Sequence, residues 1–291
     1  MRMQERMFEH GNRMDKISFA LKSILKSIAQ RSNCPYCKSN DTRLVERKHY
    51  VLQLRRCRSC RLRYRFPKDD MTESGLFYQE DYQQSTVTDL PPPLELPAHI
   101  ANRFKDIGRD LTDHLRVMQP IAPAGKLLDY GSSWGYCVYQ FQQAGYDAVG
   151  FEISRPRVEF GQKMLRVNLT SDIASLPEAS FDVIYSAHCL EHIPNPDIPL
   201  RQFQRLLKPG GHLFIYVPNC AGEEAQRLGV AWGPMIGEKH VLALTPSFFD
   251  FNLPKYGFKL RFSSSPYNHV PREYSRADLQ GEELLVIGTR M

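Results

Sequence analysis

Apolar runs of strand length alternate with helix-length segments from residue 126 onward. The clearest runs are KLLDY (126–130), DAVGFE (147–152), FDVIYSA (181–187), HLFIYV (212–217) and ELLVIGT (283–289). Shorter strands are expected near 167–170 and 258–263, and helix-length segments occupy 135–144, 155–165, 199–207 and 246–256. Alternating strands and helices predict an α/β fold with a mostly parallel sheet covered on both faces.

The front of the chain carries a helical pattern instead. Residues 15–31 place apolar side chains on one stripe with lysines elsewhere on the surface, which predicts an amphipathic basic helix. The stripe consists of Ile17, Leu21, Ile24, Leu25 and Ile28. Two interpretations stand: the helix docks on the body of the protein, or it lies on a membrane surface near a lipid-linked substrate.

The patterns divide the chain into four segments. We expect a basic leader helix at 1–32, a cysteine module at 33–68, a connecting segment with a proline-rich linker at 69–97, and the α/β domain at 98–291. The α/β domain should open with a helix, because a helical pattern runs from 98 to 118. A length of 291 residues suits one domain of ordinary size with a small appendage.

Charge is unevenly distributed along the chain. Residues 1–70 hold 18 basic and 7 acidic side chains, against 20 basic and 25 acidic in the remainder. A basic front end suggests an anionic partner, such as lipid headgroups, a phosphorylated substrate or RNA. No apolar stretch approaches the length of a membrane span, and the start does not resemble a signal peptide, so we expect a cytoplasmic protein, membrane-peripheral if the leader helix meets lipid.

Four of the seven cysteines form two C-x-x-C pairs, Cys34 with Cys37 and Cys57 with Cys60. Two such pairs at this separation are typical of a zinc ribbon, in which four thiolates complete a tetrahedral shell and leave no ligand position for water. The pattern therefore predicts a structural zinc ion. Arginines crowd around the second pair, either as a solvated basic face or as a contact for RNA or phosphate.

A turn with two glycines follows the first strand of the α/β domain. The segment that runs from Asp129 through Gly131 and Ser133 to Gly135 lets backbone approach a ligand closely, and the helix that follows offers unpaired N–H groups to a carboxylate. The turn lacks the G-x-G-x-x-G of pyrophosphate-binding folds. Glu152, at the end of the next strand, can accept hydrogen bonds from both hydroxyls of a ribose.

The motifs DYGSSWG, FEIS, SDIASLP, SFDVIYSAHCLEHI and LLKPGGHLFIYVPN, in this order, resemble those of class I methyltransferases that use S-adenosylmethionine (SAM). The resemblance implies a Rossmann-like sheet of seven strands, six parallel and one inserted antiparallel. It also implies the residues that bind SAM. Asp129, Gly131, Ser133 and Gly135 would line its methionine end, Glu152 would hold the ribose, and Asp172 with Ile173 would meet the adenine. The chain departs from the family pattern at Ser133, where glycine is usual.

The front half resembles a subgroup in which a cysteine ribbon and an aromatic-rich segment, here Tyr78 to Tyr82, precede the catalytic domain. Members of this subgroup often act in sugar, polysaccharide or natural-product pathways. The resemblance implies a small-molecule acceptor, with a nucleotide-linked or lipid-linked sugar as the leading class.

Catalytic candidates lie where the family faces its acceptor. Glu191 and His192 follow the strand at 181–187, and His240 follows a glycine-rich segment in the position of an acceptor lid. A histidine can act as a general base towards a hydroxyl or carbon acid. Alternatively, Glu191 and His192 only cap the strand and position a loop.

Two other functions stay open beside methyl transfer to a small molecule. One is methylation of RNA held by the basic ribbon, although no N-P-P-Y type segment follows the strand at 212–217. The other is a non-catalytic SAM-binding or scaffold protein whose cysteine ribbon docks a partner. The methylated atom and the oligomeric state do not follow from the sequence.

Overall fold

The computed structural model of the chain describes residues 13–73, 75, 90–267 and 279–291, with side chains from residue 18 onward. The predicted Tyr78 to Tyr82 segment and the first twelve residues of the leader lie outside the described residues.

A sheet of seven strands forms the centre of the α/β part, in the order β10-β11-β8-β7-β4-β5-β6. The strands are β4 (Lys126–Tyr130), β5 (Asp147–Phe151), β6 (Asn168–Thr170), β7 (Phe181–Ala187), β8 (Leu207–Pro218), β10 (Phe258–Ser264) and β11 (Glu283–Arg290). Strand β11 runs antiparallel to both neighbours, β8 and β10, whereas the other described pairings are parallel. This arrangement confirms the predicted sheet of six parallel strands and one inserted antiparallel strand.

Helices connect the strands close to the predicted bounds. They are α4 (Tyr136–Gln143), α5 (Arg155–Phe160) with a π-helical turn over Gly161–Leu165, α6 (Asp197–Leu206), α7 (Glu223–Leu228) and α8 (Pro246–Asn252) with a 3₁₀ turn over Leu253–Tyr256. Two helices, α2 (Leu96–Ala101) and α3 (Thr112–Met118), precede the sheet. The prediction of one continuous helix over 98–118 is therefore wrong. Arg103 and Phe104 adopt left-handed φ angles, which end α2, and the Phe104 ring is fully buried against Trp134.

Pro97 also differs from its predicted place in a linker. It lies in the first turn of α2, where proline is tolerated because the first helical N–H groups have no intrahelical partner. Pro97, the last residue predicted for the linker, thus belongs to the beginning of a helix.

The cysteine module folds as three antiparallel strands, β1 (Thr42–Lys48), β2 (Leu52–Cys57) and β3 (Arg63–Phe66). A fourth strand, β9 (Leu242–Ala243), comes from the α/β part and pairs antiparallel with β3. Alternate residues of the large sheet face two apolar cores, and Cys34, Cys57 and Cys60 share one of them with Leu128 and other sheet residues. Main chain and core both join the module to the α/β part.

Helix α1 (Arg13–Ala29) packs on the cysteine module through a mixed face, in which the Phe19 ring contacts an apolar cluster that includes Leu52 and Leu54. Ser23 is buried, and Lys26 forms salt bridges with Asp69 and Glu73. Four residues of the apolar stripe are turned away from the described body. Leu21, Ile24, Leu25 and Ile28 are exposed by 45 to 79%. No helix within the described ranges is long and apolar enough to cross a membrane.

Candidate functional site

The carboxyl ends of the parallel strands bring the predicted site residues to one edge of the sheet. Asp129 is the penultimate residue of β4, Glu152 follows β5, Asp172 follows β6, and Glu191 lies beyond β7. Because these four strands are adjacent and parallel, the residues after them meet at the same edge. Residues far apart in the chain thus form one site.

The glycine turn after β4 adopts left-handed backbone at three positions. Gly131 and Gly135 each have φ of 86°, and Ser133 has φ of 49°. A Cβ atom on Gly131 would lie 2.5 Å from the Cys189 Sγ atom, so this close approach requires glycine.

Ser133 occupies the position where the resembled family has glycine, and its conformation is supported by hydrogen bonds. The Ser133 N–H donates to Glu152 Oε2 at 2.9 Å, and its hydroxyl oxygen accepts from Arg157 Nη1 at 2.8 Å. The side chain that replaces a hydrogen thus connects the turn to the buried Arg157. The departure from the family pattern leaves the turn well supported.

Glu152 is held rigidly at the end of β5. Its second oxygen, Oε1, accepts from the Ser154 N–H at 2.9 Å, and the side chain is 6% exposed. Burial raises the pKa of Glu152, although the two backbone N–H groups and the charge of Arg157 oppose the rise. Each carboxylate oxygen keeps a lone pair for a further donor, such as a ribose hydroxyl.

Asp129 is buried, and its Oδ2 has no hydrogen-bond partner among the described residues. Burial, and next the charge of Glu152, raise the pKa of Asp129 well above its ordinary value. Across the same described ranges the hydroxyls of Ser132 and Ser154 also lack partners. Buried polar groups without partners suit a polar ligand that supplies hydrogen-bonding groups. The turn, Asp129 and Glu152 therefore fit the methionine and ribose parts of SAM.

Asp172 and Ile173 flank the next position along the edge. Asp172 is exposed, and its Oδ1 accepts from the Ala174 N–H at 2.9 Å, which caps the 3₁₀ turn Ile173–Ser175. Ile173 is half-buried beside it. Ile153, which the sequence analysis did not single out, is a 39% exposed apolar side chain next to Glu152. Its exposure beside a conformationally fixed carboxylate suits contact with a flat apolar ring.

Glu191, His192 and His240 come together beyond the end of β7. Their candidate ligand atoms all lie within 4.8 Å of one another. Glu191 and His192 belong to a 3₁₀ turn, Leu190–His192, and His240 lies just before β9. The Val241 N–H donates to the Glu191 carbonyl oxygen at 3.0 Å, which holds the two segments side by side. The three predicted catalytic candidates therefore form one cluster.

Electrostatic surroundings set the charges in this cluster. Burial lowers the pKa of His192 to about 4, so its imidazole is neutral at pH 7. Burial favours a raised pKa for Glu191, but the adjacent His188 side chain and the neighbouring histidines outweigh burial and lower the pKa to about 2. Glu191 is thus a carboxylate and His192 a neutral imidazole, a pairing that favours ligand or positioning roles over proton uptake by His192.

A second charged group beside the cluster was not foreseen. Glu283, on β11, lies 2.5 Å from His188 Nε2 through its Oε1, and its Oε2 lies 3.5 Å from His114 Nε2. Burial would lower the pKa of His188, but Glu191 and Glu283 outweigh burial and raise it to about 10. No local sequence signal joins Glu283 to this cluster, since its partner His188 lies 95 residues away.

The four predicted metal ligands form a compact cluster. The Sγ atoms of Cys34 and Cys60, and those of Cys37 and Cys57, are 3.5 Å apart, and all four lie within 4.8 Å of one another. Tetrahedral zinc with bonds of about 2.3 Å separates its sulfur ligands by about 3.8 Å. The arrangement therefore fits one tetrahedral metal ion, and the cysteines form no disulfide.

Matching turns produce this cluster. The Lys38 N–H donates to the Cys34 carbonyl oxygen, and the Arg61 N–H to that of Cys57, both at 3.1 Å. Lys38 and Arg61 both have left-handed φ angles, of 61° and 67°. The two C-x-x-C pairs thus share one local fold, which directs each pair of thiols to a common point.

Comparison with known proteins supports the methyltransferase fold. The family model described as "Methyltransferase domain" matches residues 99–261, more than half of the chain. A SAM-dependent methyltransferase from Thermotoga maritima, described as a possible histamine N-methyltransferase, superposes with a TM-score of 0.50 at 18% identity over 68% of this chain and 99% of that one. At this identity the likeness shows the fold alone.

Curated relatives match shorter stretches. The 27-O-demethylrifamycin SV methyltransferase of Amycolatopsis mediterranei is 32% identical over 130 residues, 40% of this chain and 48% of the relative. The malonyl-[acyl-carrier protein] O-methyltransferase of Serratia marcescens is 27% identical over 47% of this chain and 55% of its own length. The match thus spans about half the length of these two relatives. A ubiquinone biosynthesis O-methyltransferase of Ralstonia nicotianae is 29% identical over 54% of this chain and 71% of its own.

The ordered motifs, the seven-stranded sheet and the family match over residues 99–261 agree, and the chain belongs to the class I, SAM-dependent methyltransferase family.

Proposed function

We propose that this protein transfers the methyl group of SAM to an oxygen atom of a small molecule. The observation that carries the proposal is the position of the Glu191, His192 and His240 cluster on the same sheet edge as Asp129 and Glu152. A cofactor site beside a polar cluster gives a donor and an acceptor a common meeting place. The names of the three relatives above, two of them O-methyltransferases, support oxygen as the methylated atom.

Asp129 and the glycine turn would bind the amino-acid end of SAM, and Glu152 its ribose. The free Oδ2 of Asp129 suits an ammonium group. Asp172, Ile173 and Ile153 would border the adenine ring. When bound, SAM would supply a methyl group attached to a positively charged sulfur. The product that remains after the methyl group is transferred would be S-adenosylhomocysteine.

Alignment and proton removal fall to the chain's own residues. The acceptor oxygen must approach in line with the carbon–sulfur bond, whose electron pair returns to sulfur, and its proton must leave. Glu191, His192 and His240 would hold the acceptor hydroxyl, with His240 as the base because its Nδ1–H is engaged by the Pro234 carbonyl oxygen and its Nε2 keeps a lone pair for the proton. A nucleotide-linked or lipid-linked sugar is the acceptor class we favour.

The four-cysteine cluster would hold structural zinc. Four protein sulfurs fill a tetrahedral shell, so no position is left for a substrate or a water. The ion would supply no chemistry to the transfer. Its proposed role is to fix the two turns and the strands between them.

The exposed stripe of α1 would contact an anionic lipid surface. Within the described chain Leu21, Ile24, Leu25 and Ile28 form an apolar face, with Lys22 exposed on the same helix. An apolar face with lysines beside it suits the interface of a bilayer that carries negative headgroups. Such a contact would bring a lipid-linked acceptor close to the protein.

Calorimetric titration with SAM and S-adenosylhomocysteine tests the cofactor site. Asp129→Ala and Glu152→Ala should weaken binding, whereas Asp147→Ala and Glu159→Ala, on exposed side chains, should not. Transfer of labelled methyl from SAM to a panel of hydroxylated small molecules, led by nucleotide sugars, then tests the acceptor class. Folded protein that binds neither ligand would refute methyl transfer and leave a non-catalytic scaffold as the better account.

A further inference from the structure

We propose that Glu191, His192 and His240 form a second metal site, separate from the cysteine cluster, which binds a divalent transition-metal ion. The inferred use of the ion, to hold and orient the acceptor oxygen, rests on the proposed methyl transfer. The site itself rests on the geometry of the three side chains.

The donor atoms are already close to coordination distances. His192 Nε2 lies 3.9 Å from Glu191 Oε1, and the ligand atoms of all three residues lie within 4.8 Å of one another. Ligands bonded at about 2.1 Å to one ion stand roughly 3 to 3.5 Å apart in octahedral or tetrahedral geometry. Small side-chain rotations would close this difference.

Both histidines are held as metal-ligating histidines usually are. The Nδ1–H of His192 donates to the Lys239 carbonyl oxygen at 3.0 Å, and that of His240 donates to the Pro234 carbonyl oxygen at 2.8 Å. Each hydrogen bond fixes the tautomer and leaves a lone pair on Nε2. The two rings meet edge to face with centroids 4.7 Å apart, and their ligand nitrogens lie within 4.8 Å of each other.

Glu191 is a buried carboxylate that lacks hydrogen bonds. It is 1% exposed, and in the described parts of the chain neither oxygen has a hydrogen-bond partner. His188 Nδ1 lies 3.5 Å from Oε1, which gives an ion pair but no hydrogen bond. The ion pair leaves the lone pairs of both buried oxygens without a hydrogen-bond donor, which is costly. A metal ion between Glu191 and the two histidines would be coordinated by them.

The backbone around the cluster is firmly supported. Besides the bond from Val241 N–H to Glu191, the Gly237 N–H donates to the His240 carbonyl oxygen at 3.1 Å. Lys48 Nζ, from β1, donates to the carbonyl oxygen of Ile236 at 2.7 Å. These bonds place the His240 side chain reproducibly, as a metal site requires.

The donor set indicates the kind of ion and its role. Two imidazoles and one carboxylate suit Zn²⁺, Co²⁺ or Mn²⁺, whereas the four sulfurs of the cysteine cluster select softer ions. Three protein ligands leave at least one coordination position for an oxygen ligand. His192 and His240 are partly exposed, so that position is accessible from the side where an acceptor would enter. An acceptor hydroxyl bound there would be oriented and made more acidic, so that its proton passes to solvent water and His240 serves as a ligand in place of the base role given above.

Counting bound metal tests the site without an activity assay. Zinc-replete protein would be equilibrated separately with Zn²⁺, Co²⁺ and Mn²⁺, and the ions in each sample measured by elemental analysis. We expect two ions per wild-type chain with at least one of the three metals. Glu191→Gln, His192→Ala and His240→Ala should each hold one, with affinity for the second ion at least about tenfold weaker. His49→Ala, on an exposed histidine, should hold two.

Binding of S-adenosylhomocysteine and thermal unfolding would be measured on every variant, to separate loss of the site from loss of the fold. Glu191→Gln preserves the shape of the side chain if either alanine variant fails to fold. A single ion per wild-type chain with all three metals would overturn the metal site, as would an unchanged second ion in all three variants. Normal cofactor binding in the same samples would leave the proposed methyl transfer standing.

Discussion

Arg65 Nη1 donates a hydrogen bond of 2.8 Å to the backbone oxygen of Glu238, two residues before His240. The same nitrogen donates to the Gly237 carbonyl oxygen at 2.8 Å, and the buried Arg65 also pairs with Asp69 at 2.6 Å. A residue of the cysteine module therefore holds the loop that carries a candidate site residue. The module and the site are structurally coupled.

Arg65→Gln should destabilise the protein and disturb the His240 loop. Loss of one partner from a largely buried charged network costs about 3 kcal/mol of unfolding free energy. We expect acceptor methylation and uptake of the second metal ion to fall more than affinity for S-adenosylhomocysteine, because Asp129 and Glu152 lie on other segments. Arg58→Gln, whose side chain is 63% exposed, is the matched control. Equal losses of cofactor affinity and acceptor turnover would contradict this coupling.

Removal of zinc should destabilise the whole protein in one cooperative transition. Three of the four cysteines share the apolar core that covers one face of the large sheet, and β3 pairs with β9. Chelation, or Cys60→Ser, should therefore lower the temperature of a single calorimetric peak. Cys137→Ala, outside the cluster, should leave the zinc content unchanged. Two separate peaks after chelation would show that the cysteine module unfolds alone.

Asp129→Asn should weaken cofactor binding while it stabilises the ligand-free protein. The pKa of Asp129 is raised by burial and by the charge of Glu152, so the folded state binds its proton more readily than the unfolded state. The ionised side chain therefore costs stability above its folded pKa, and acidification through that pKa relieves the cost. We expect a gain on the order of 1 kcal/mol at pH 7. Denaturant unfolding with and without S-adenosylhomocysteine measures both effects, and a loss of ligand-free stability would contradict the argument.

Asp197→Asn should remove stability at neutral pH and little at acidic pH. Burial would raise the pKa of Asp197, but hydrogen bonds from Arg201 at 2.7 Å and the Tyr256 hydroxyl at 2.5 Å outweigh it and lower the pKa. The contribution of such a carboxylate is complete above its unfolded pKa of about 3.9 and disappears as pH falls through the lower folded pKa. We expect a loss of about 1 kcal/mol at pH 7, since Arg201 is exposed.

Urea unfolding from pH 7 down to pH 2 would measure the difference between Asp197→Asn and wild type. The exposed Asp147→Asn serves as control. Tyr256 also hydrogen-bonds to Tyr36 of the cysteine module at 2.9 Å, so the loss should weaken the contact between the two parts. A difference that does not shrink at low pH would show that Asp197 acts through packing rather than through its charge.

Vesicle sedimentation tests the exposed stripe of α1. Wild-type protein should bind vesicles rich in phosphatidylserine and release them as salt rises, because the lysines contribute through attraction to the headgroups. Leu25→Ser with Ile28→Ser should reduce binding to the level seen with phosphatidylcholine vesicles alone. Leu94→Ser, on an exposed leucine outside the helix, should bind as wild type does. Equal binding by wild type and the double variant would refute the lipid contact.

Much of the fold followed from local pattern. The strands over 126–130 and 181–187 were predicted with the bounds that the structure has, because fully buried parallel strands appear as short apolar runs between turns. The helical reading of 98–118 failed because periodicity does not show where left-handed residues such as Phe104 end a helix. The apolar stripe of α1 was identified, but only the packing of Lys26 against Asp69 and Glu73 decided which face meets the body.

The residues of the candidate site also fall into those predicted from local pattern and those brought together by tertiary contacts. The sequence by itself determined the turn at Gly131, the carboxylate Glu152 and the four cysteines, since each belongs to a short segment whose spacing reflects local geometry. The contact between His240 and Glu191 depends on the tertiary structure, as does the contact between Glu283 and His188. The same holds for the bond from Arg65 to the loop that precedes His240. The contacts of Glu283 with His188 and of Arg65 with Gly237 join residues 95 and 172 positions apart. Their formation depends on strand order and on the pairing of β3 with β9, which spacing along a chain cannot encode.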